Sequence, residues 1–231
     1  MIYYITLDDL TNKETLFNYI YPNMQENYYW SDDYSAEFYI TAAQCGFITT
    51  SMYKEEKLIL LPEIQFEYAL MKFDEIKISK KIRKLINENK YELKINQRTK
   101  EVYKKIINYH KDSWLNDEYI NILNSINDKY NQVSNFKFYS VELIEKETNL
   151  LISGEIGYQI GTIYTSLTGF TNRDKKYNNC GKLQLVLLNY YLKDNGLKLW
   201  NLGHPQLQYK LDLGAKIYNR ADFLKLWYEN I

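Results

Sequence analysis

Hydrophobic positions along the chain change their period near its middle. The opening residues IYYITL (2–7) alternate like a strand. Thr11 and Glu14 then have capping-box spacing ahead of Leu16, Phe17 and Ile20, which predicts a helix starting at Thr11. Residues 35–45 read as a second helix, stopped by Gly46, and LILLP (58–62) as a strand. From Ser79 the period is helical, with Ile82, Leu85 and Ile86 inward among Lys80, Lys81, Arg83 and Lys84. Residues 91–95 look extended. A helix over 98–109 buries Val102, Ile106 and Ile107, and Asn116 caps another whose first turn holds Asp117 and Glu118.

Beyond this point strands dominate. Residues 136–144 and 150–160 are predicted strands joined by the polar turn EKETN, and 162–170 a third, entered through Gly161. The polar loop TNRDKKYNNCGK leads into a helix from Gly181, with Leu183, Leu187 and Tyr190 at helical spacing and Gly196 at its end. LKLWNLG (197–203) is one more strand. Meander, loop, helix, strand is the order of the acetyltransferase-like (GNAT) fold, in which an acyl donor lies against splayed central strands. The expected class is α+β: a small N-terminal α+β domain over residues 1–75, then a GNAT-like mixed sheet flanked by helices over 76–231.

Composition narrows the classes. With 231 residues and 45% hydrophobic positions the chain can bury a sizeable core. Lys+Arg and Asp+Glu are both 29, which argues against coating nucleic acid through bulk charge but permits a local basic patch. No apolar run approaches the roughly 18 residues of a membrane span. The N-terminus lacks the marks of a secretory signal, and Cys45 and Cys180 match no metal spacing. A cytoplasmic protein with reduced thiols, and with no metal, membrane or DNA partner, is expected. The 24 tyrosines pack cores well and carry no functional weight by themselves.

Several segments, in order, resemble the leucyl/phenylalanyl-tRNA–protein transferase family. They are YITAAQCGFI (39–48), SKKIRK (79–84), DSWLNDEYINIL (112–123), FYSVELIEKETNLLISGEIGYQIGTIY (138–164) and LDLGAKIYNRADFL (211–224). The resemblance implies a two-part monomer that transfers Leu or Phe from aminoacyl-tRNA to the N-terminal amine of a protein in the N-end rule of protein degradation. It implies no cofactor, since aminoacyl-tRNA is itself the donor substrate. The sequence also departs from the family. Its Gly-Glu-Ser-x-Phe block falls on residues 166–170, so leucine occupies the glutamate position. Its Asp-x-Gln falls on Asn201, Leu202 and Gly203, or reaches His204 with the gap moved, and the early Trp falls on Thr50.

Each candidate residue has a bland alternative. Trp114 matches a family tryptophan that stacks on the terminal adenosine, a contact worth roughly 1–3 kcal/mol, or it is a core tryptophan at a helix start. Lys80, Lys81, Arg83 and Lys84 can hold tRNA phosphates or form a solvated helix face. Asn178, Asn179, Gly181 and Lys182 lie at a helix N-terminus that suits an anionic group, or in an ordinary capped loop. The acetyl-CoA signature Arg/Gln-x-x-Gly-x-Gly/Ala is missing there, which favours a tRNA ester over coenzyme A. Glu155 can hold the amine or act as base, or be a surface strand residue. Strand alternation puts Tyr164, Ser166 and Thr168 on one face, offering hydroxyls to a groove. His204 is a candidate proton acceptor or a locally bonded loop residue. Asn201 can hold the ester carbonyl or the amine. Lys210 can neutralise phosphate, although a solvated lysine fits as well, and His110, at a helix end, receives no chemistry. The catalytic set is thus Asn201, His204 and Glu155. A GNAT acyl-CoA N-acyltransferase and a non-catalytic tRNA- or peptide-binding relative are the competing readings.

Overall fold

A computed structural model describes residues 2–130 and 135–231. It opens with the short strand β1 (Tyr3–Tyr4), helices α1 (Leu7–Thr11) and α2 (Lys13–Thr15), strand β2 (Tyr29–Trp30) and helix α3 (Ala36–Gln44). The capping box expected at Thr11 lies elsewhere: Thr6 and Asp9 form it, and the Asn12 side chain caps α2 by accepting from Thr15 N at 3.2 Å. Thr11 instead closes α1, its hydroxyl donating to Leu7 O. IYYITL is therefore strand only at Tyr3 and Tyr4, because Thr6 starts a helix. The hairpin β3 (Ile48–Lys54) and β4 (Lys57–Glu63) follows, with Ile48 opposite Glu63.

The larger sheet begins with β5 (Glu67–Lys72). Then come α4 (Lys80–Glu88), β6 (Tyr91–Ile95), α5 (Thr99–Tyr109), α6 (Asp117–Tyr130), β7 (Phe136–Glu145), β8 (Leu150–Ile160) and β9 (Ile163–Thr171). The chain closes with α7 (Cys180–Asp194), β10 (Leu199–Asn201), α8 (Gln208–Leu213), β11 (Lys216–Asn219) and α9 (Arg220–Tyr228). The sheet order is β11-β5-β10-β9-β8-β7-β6. Every neighbouring pair is antiparallel except β9 and β10, which α7 connects as a crossover.

Strand alternation gives each face of this sheet its own core. On one face Val102, Tyr103 and Ile106 of α5 meet Phe138, Ile156 and Tyr158. On the other, Val186, Leu188 and Leu192 of α7 meet Val141, Ile152 and Trp200. Each fully buried aliphatic side chain contributes roughly 1.5–3 kcal/mol. The first core also takes in Ile5, Leu10, Phe38 and Phe47 from the N-terminal elements and Phe223 and Trp227 from α9. With β5 between β10 and β11, both sheet and core run across residue 75.

Arg220 ties these parts together. It is 1% exposed, and its guanidinium donates to the carbonyls of Ile64 (2.7 Å), Gln65 (3.1 Å), Tyr21 (3.3 Å), Glu26 (3.3 Å) and Asn23. A rigid fork of N–H donors is what such a cluster of carbonyls requires.

Candidate functional site

The one parallel pair of this sheet is also where it opens. Register runs Leu199 to Ile163, Trp200 to Tyr164 and Asn201 to Thr165, where β10 stops. β9 continues through Ser166 to Thr171 without β10 beside it. A bulge sits at this point: Ile156 pairs with Thr168 and Gly157 with Ser166, so Leu167 is the extra residue. A bulge bends its strand and leaves the extra residue outside the ladder. Leu167 is also the residue that the sequence resemblance sets against the family's glutamate. The strand across from it needs a glycine, because a Cβ on Gly157 would lie 2.4 Å from the Tyr164 hydroxyl and 2.5 Å from Thr165 O.

The bulge also corrects the expected hydroxyl face. Tyr164 and Ser166 turn towards α7, where both hydroxyls donate to Glu155, at 3.0 and 2.9 Å. Thr168 lies on the α5 side instead, its Oγ1 3.4 Å from His110 Nε2. The extra residue between them resets the alternation. His110, which the sequence left without a role, also bonds Gly169 O on the opened strand at 2.9 Å.

Glu155 is buried, not a surface strand residue. Its second oxygen accepts from Gln184 Nε2 of α7 at 3.1 Å, and Ser166 Oγ accepts from Trp200 Nε1 at 2.9 Å. Burial raises the Glu155 pKa to about 7, against the lowering effect of Ser166, Tyr164 and Gln184. Burial, and then the Glu155 charge, push Tyr209 of α8 up to about 12. Neither Gln184 nor Trp200 carried a motif that marked it in the sequence.

Where β10 ends, the chain makes a polar turn. Asn201 is buried; its Oδ1 accepts from Gly203 N at 2.9 Å and its Nδ2 reaches Thr165 Oγ1 at 3.5 Å. Gly203 has φ +70, a conformation that suits glycine. His204 follows with its side chain 42% exposed, and its Nε2 lies 3.0 Å from Glu63 Oε2 at the end of β4. Glu63 is buried and also accepts from Asn27 Nδ2 (2.6 Å) and Gln65 Nε2 (3.3 Å). Burial and this carboxylate raise Tyr28 to about 12. Gln65 Oε1 is buried and has no hydrogen-bond partner among the described residues. Lys210 is also buried, contrary to a solvated lysine. Its Nζ donates to Leu202 O at 2.5 Å and His204 O at 2.6 Å, and burial lowers its pKa to about 8. Glu63 and Gln65 carried no motif that marked them.

The other candidates lie on other elements, at different depths. Asn179 starts α7 with φ 70 and no side-chain cap, and Gly181 packs by Thr171 at the end of β9. Asn178 is exposed, and Lys182, in the first turn of α7, pairs with Asp212 of α8 at 3.7 Å. Lys80, Lys81, Arg83 and Lys84 are exposed on α4, Lys84 pairing with Glu88 at 4.0 Å. Trp114 is half-buried, edge-on to Tyr119 at 4.9 Å, and its carbonyl accepts from Ser51 of β3 at 2.6 Å. Ile48, at the start of that strand, lies 3.6 Å from where a Cβ on Gly203 would be. Cavities of about 550 and 450 Å³ lie elsewhere, the first under Leu10, Phe17 and Tyr228, the second beside Lys72, Lys193 and Leu226. Among the described residues no helix is long and apolar enough to cross a membrane, and no three His, Cys, Asp or Glu side chains group as metal ligands.

The sequence pattern of the leucyl/phenylalanyl-tRNA protein transferase family matches residues 70–228. The chain belongs to this family. Its fold is a mixed α+β sheet of seven strands flanked by helices. No curated protein sequence matches it. Solved structures similar to it include L-PGS from Bacillus licheniformis, 13% identical with a TM-score of 0.42, over 72% of this chain and 49% of that one. A second is the C-terminal domain described as that of a putative lysylphosphatidylglycerol synthetase from Agrobacterium fabrum, 9% identical with a TM-score of 0.49, over 83% and 65%. A third is a GCN5-related glucosamine N-acetyltransferase region of a fungal multidomain enzyme, 11% identical with a TM-score of 0.47, over 81% and 22%. The chain thus spans 49% of the first of these and 65% of the second.

Proposed function

We propose that this protein transfers an aminoacyl group, Leu or Phe by family, from aminoacyl-tRNA to the N-terminal amine of a protein, at the seam between β9 and β10. The observation that carries this reading is the seam itself, with the bulge at Leu167 on one side and His204 on the other. In the reaction the amine nitrogen attacks the ester carbonyl carbon, the bond to the tRNA ribose oxygen breaks, and a proton moves from nitrogen to that oxygen. Two groups near the seam can take a proton, and their settings differ. Glu155 is enclosed, with both oxygens already bonded to Tyr164, Ser166 and Gln184. It therefore shapes the seam. His204 is exposed at the mouth and carries the proton.

Asn201 is spent on its own turn, so it sets the position of Gly203 and His204 and leaves the substrate to others. Backbone N–H groups of the opened β9 edge and of the uncapped α7 start are the donors on hand for the developing oxyanion, and preorganised donors are usually the largest catalytic contribution. The exposed cations of α4 suit tRNA phosphates. The test is purified protein with charged Leu- or Phe-tRNA and a peptide beginning with Arg. Labelled amino acid appearing on the peptide supports the reading. Binding of tRNA without transfer, or acyl transfer that needs coenzyme A and no tRNA, overturns it.

A further inference from the structure

Glu63 and His204 are far apart in sequence and meet at the mouth of the seam, the carboxylate buried and the imidazole half in solvent. The carboxylate is held from several sides. Asn27 Nδ2 donates to Oε1 at 2.6 Å, while Gln65 Nε2 shares Oε2 with His204 Nε2 at 3.3 and 3.0 Å. Arg220, which fixes the Ile64 and Gln65 carbonyls, anchors the backbone next to Glu63. From the other end, Lys210 holds the His204 carbonyl. An imidazole in an ordinary surface loop has no need of such support. Gln65 Oε1 is buried and meets no donor among the described residues.

We infer that Glu63 is the positioning residue for His204 in the proposed transfer. An ionised carboxylate only accepts hydrogen bonds, so the neutral imidazole facing it must carry its proton on Nε2. Nδ1, which bonds no described residue, then keeps its lone pair free to accept. When the amine nitrogen bonds to the ester carbon, Nδ1 takes the N–H proton. The imidazolium is stabilised by Glu63 across 3.0 Å until that proton passes to the departing ribose oxygen. Histidine returns to its starting tautomer. Glu63 never touches substrate; it fixes ring orientation and the side on which the lone pair stands.

The inference rests on the transfer reading, and its test separates the two. Glu63→Gln keeps the side-chain shape but places an amide N–H donor where His204 Nε2 can accept, which favours the tautomer with its proton on Nδ1. In histidine labelled with nitrogen-15, with His204→Gln used to assign the signal against His110, the wild type should show His204 protonated on Nε2 and E63Q on Nδ1. For peptide transfer, E63Q should lower kcat by about 10²–10⁴-fold, the usual range for one general base, with KM for aminoacyl-tRNA unchanged and Glu63→Asp partly restoring kcat. Thermal unfolding of E63Q shows whether the fold is kept; the tautomer signal is read in whatever folded fraction remains. An active wild type with His204 protonated on Nδ1, or folded E63Q with full kcat, overturns the role of Glu63 and leaves the transfer reading in place. A wild type that transfers nothing overturns the transfer reading, while the tautomer measurement still reports on the Glu63 contact.

Discussion

Replacing Glu155 with glutamine should change how the protein's stability depends on pH, by an amount the structure sets. Glu155 is 5% exposed, and burial raises its carboxyl from the ordinary 4.5 to about 7. Between those values the unfolded chain gives up the proton and the folded chain keeps it. The unfolded state therefore binds fewer protons, and stability falls as pH rises through this window. The full loss from this one group is about 3 kcal/mol, reached just above pH 7 and absent below 4.5. The amide in E155Q cannot ionise, and it can still meet Ser166 and Tyr164. Urea unfolding of wild type and E155Q at intervals across the window isolates the contribution, since every other titrating group is common to both. The difference between the two should move by about 3 kcal/mol in favour of E155Q from the acid end to the neutral end. Parallel curves would mean that Glu155 ionises as easily in the folded chain as in the unfolded one, and so is not sealed beneath the seam.

Two further substitutions probe the supports of the site. The folded Lys210 amine titrates near 8 and the unfolded one near 10.5, so over that window the unfolded chain binds more protons and stability should rise with pH. Lys210→Met should flatten that rise, as measured by denaturant midpoints from neutral to alkaline pH. Arg220→Lys cannot serve carbonyls from Tyr21 to Gln65 at once; it should cost on the order of 3 kcal/mol in urea unfolding and loosen the turn that carries Glu63.

The parts of this fold that were legible in the sequence are those with a sustained pattern. β7, β8 and β9 are long strand-forming runs bounded by polar turns, α5 and α7 keep helical spacing, and Gly161 and Gly196 mark turns, so the meander, crossover helix and last strand could be placed in order. β5 could not be read: Tyr68, Ala69, Leu70 and Met71 are all buried, and a short apolar run has no alternation to show. β11 and α8 are too short to establish a period. At the site, Glu155 and His204 stood out as a carboxylate and an imidazole beside a predicted groove. Their partners did not. Glu63 follows Pro62 at the end of a hairpin strand, and its meeting with His204 depends on how β4 and the β10 exit pack in three dimensions. The bulge at Leu167 leaves no mark in the sequence either, and it sends Thr168 away from Tyr164 and Ser166.

The account turns on where the activated carbonyl sits. A crystal structure of the protein with adenosine bearing leucine through a stable 3′-amide link would show it directly. The account predicts the leucyl carbonyl in the seam, between the opened β9 edge at Ser166 to Gly169 and the turn from Asn201 to His204, with the amide within reach of His204 Nδ1. The same compound seated in the cavity under Leu10, Phe17 and Tyr228, with the seam closed, would contradict it.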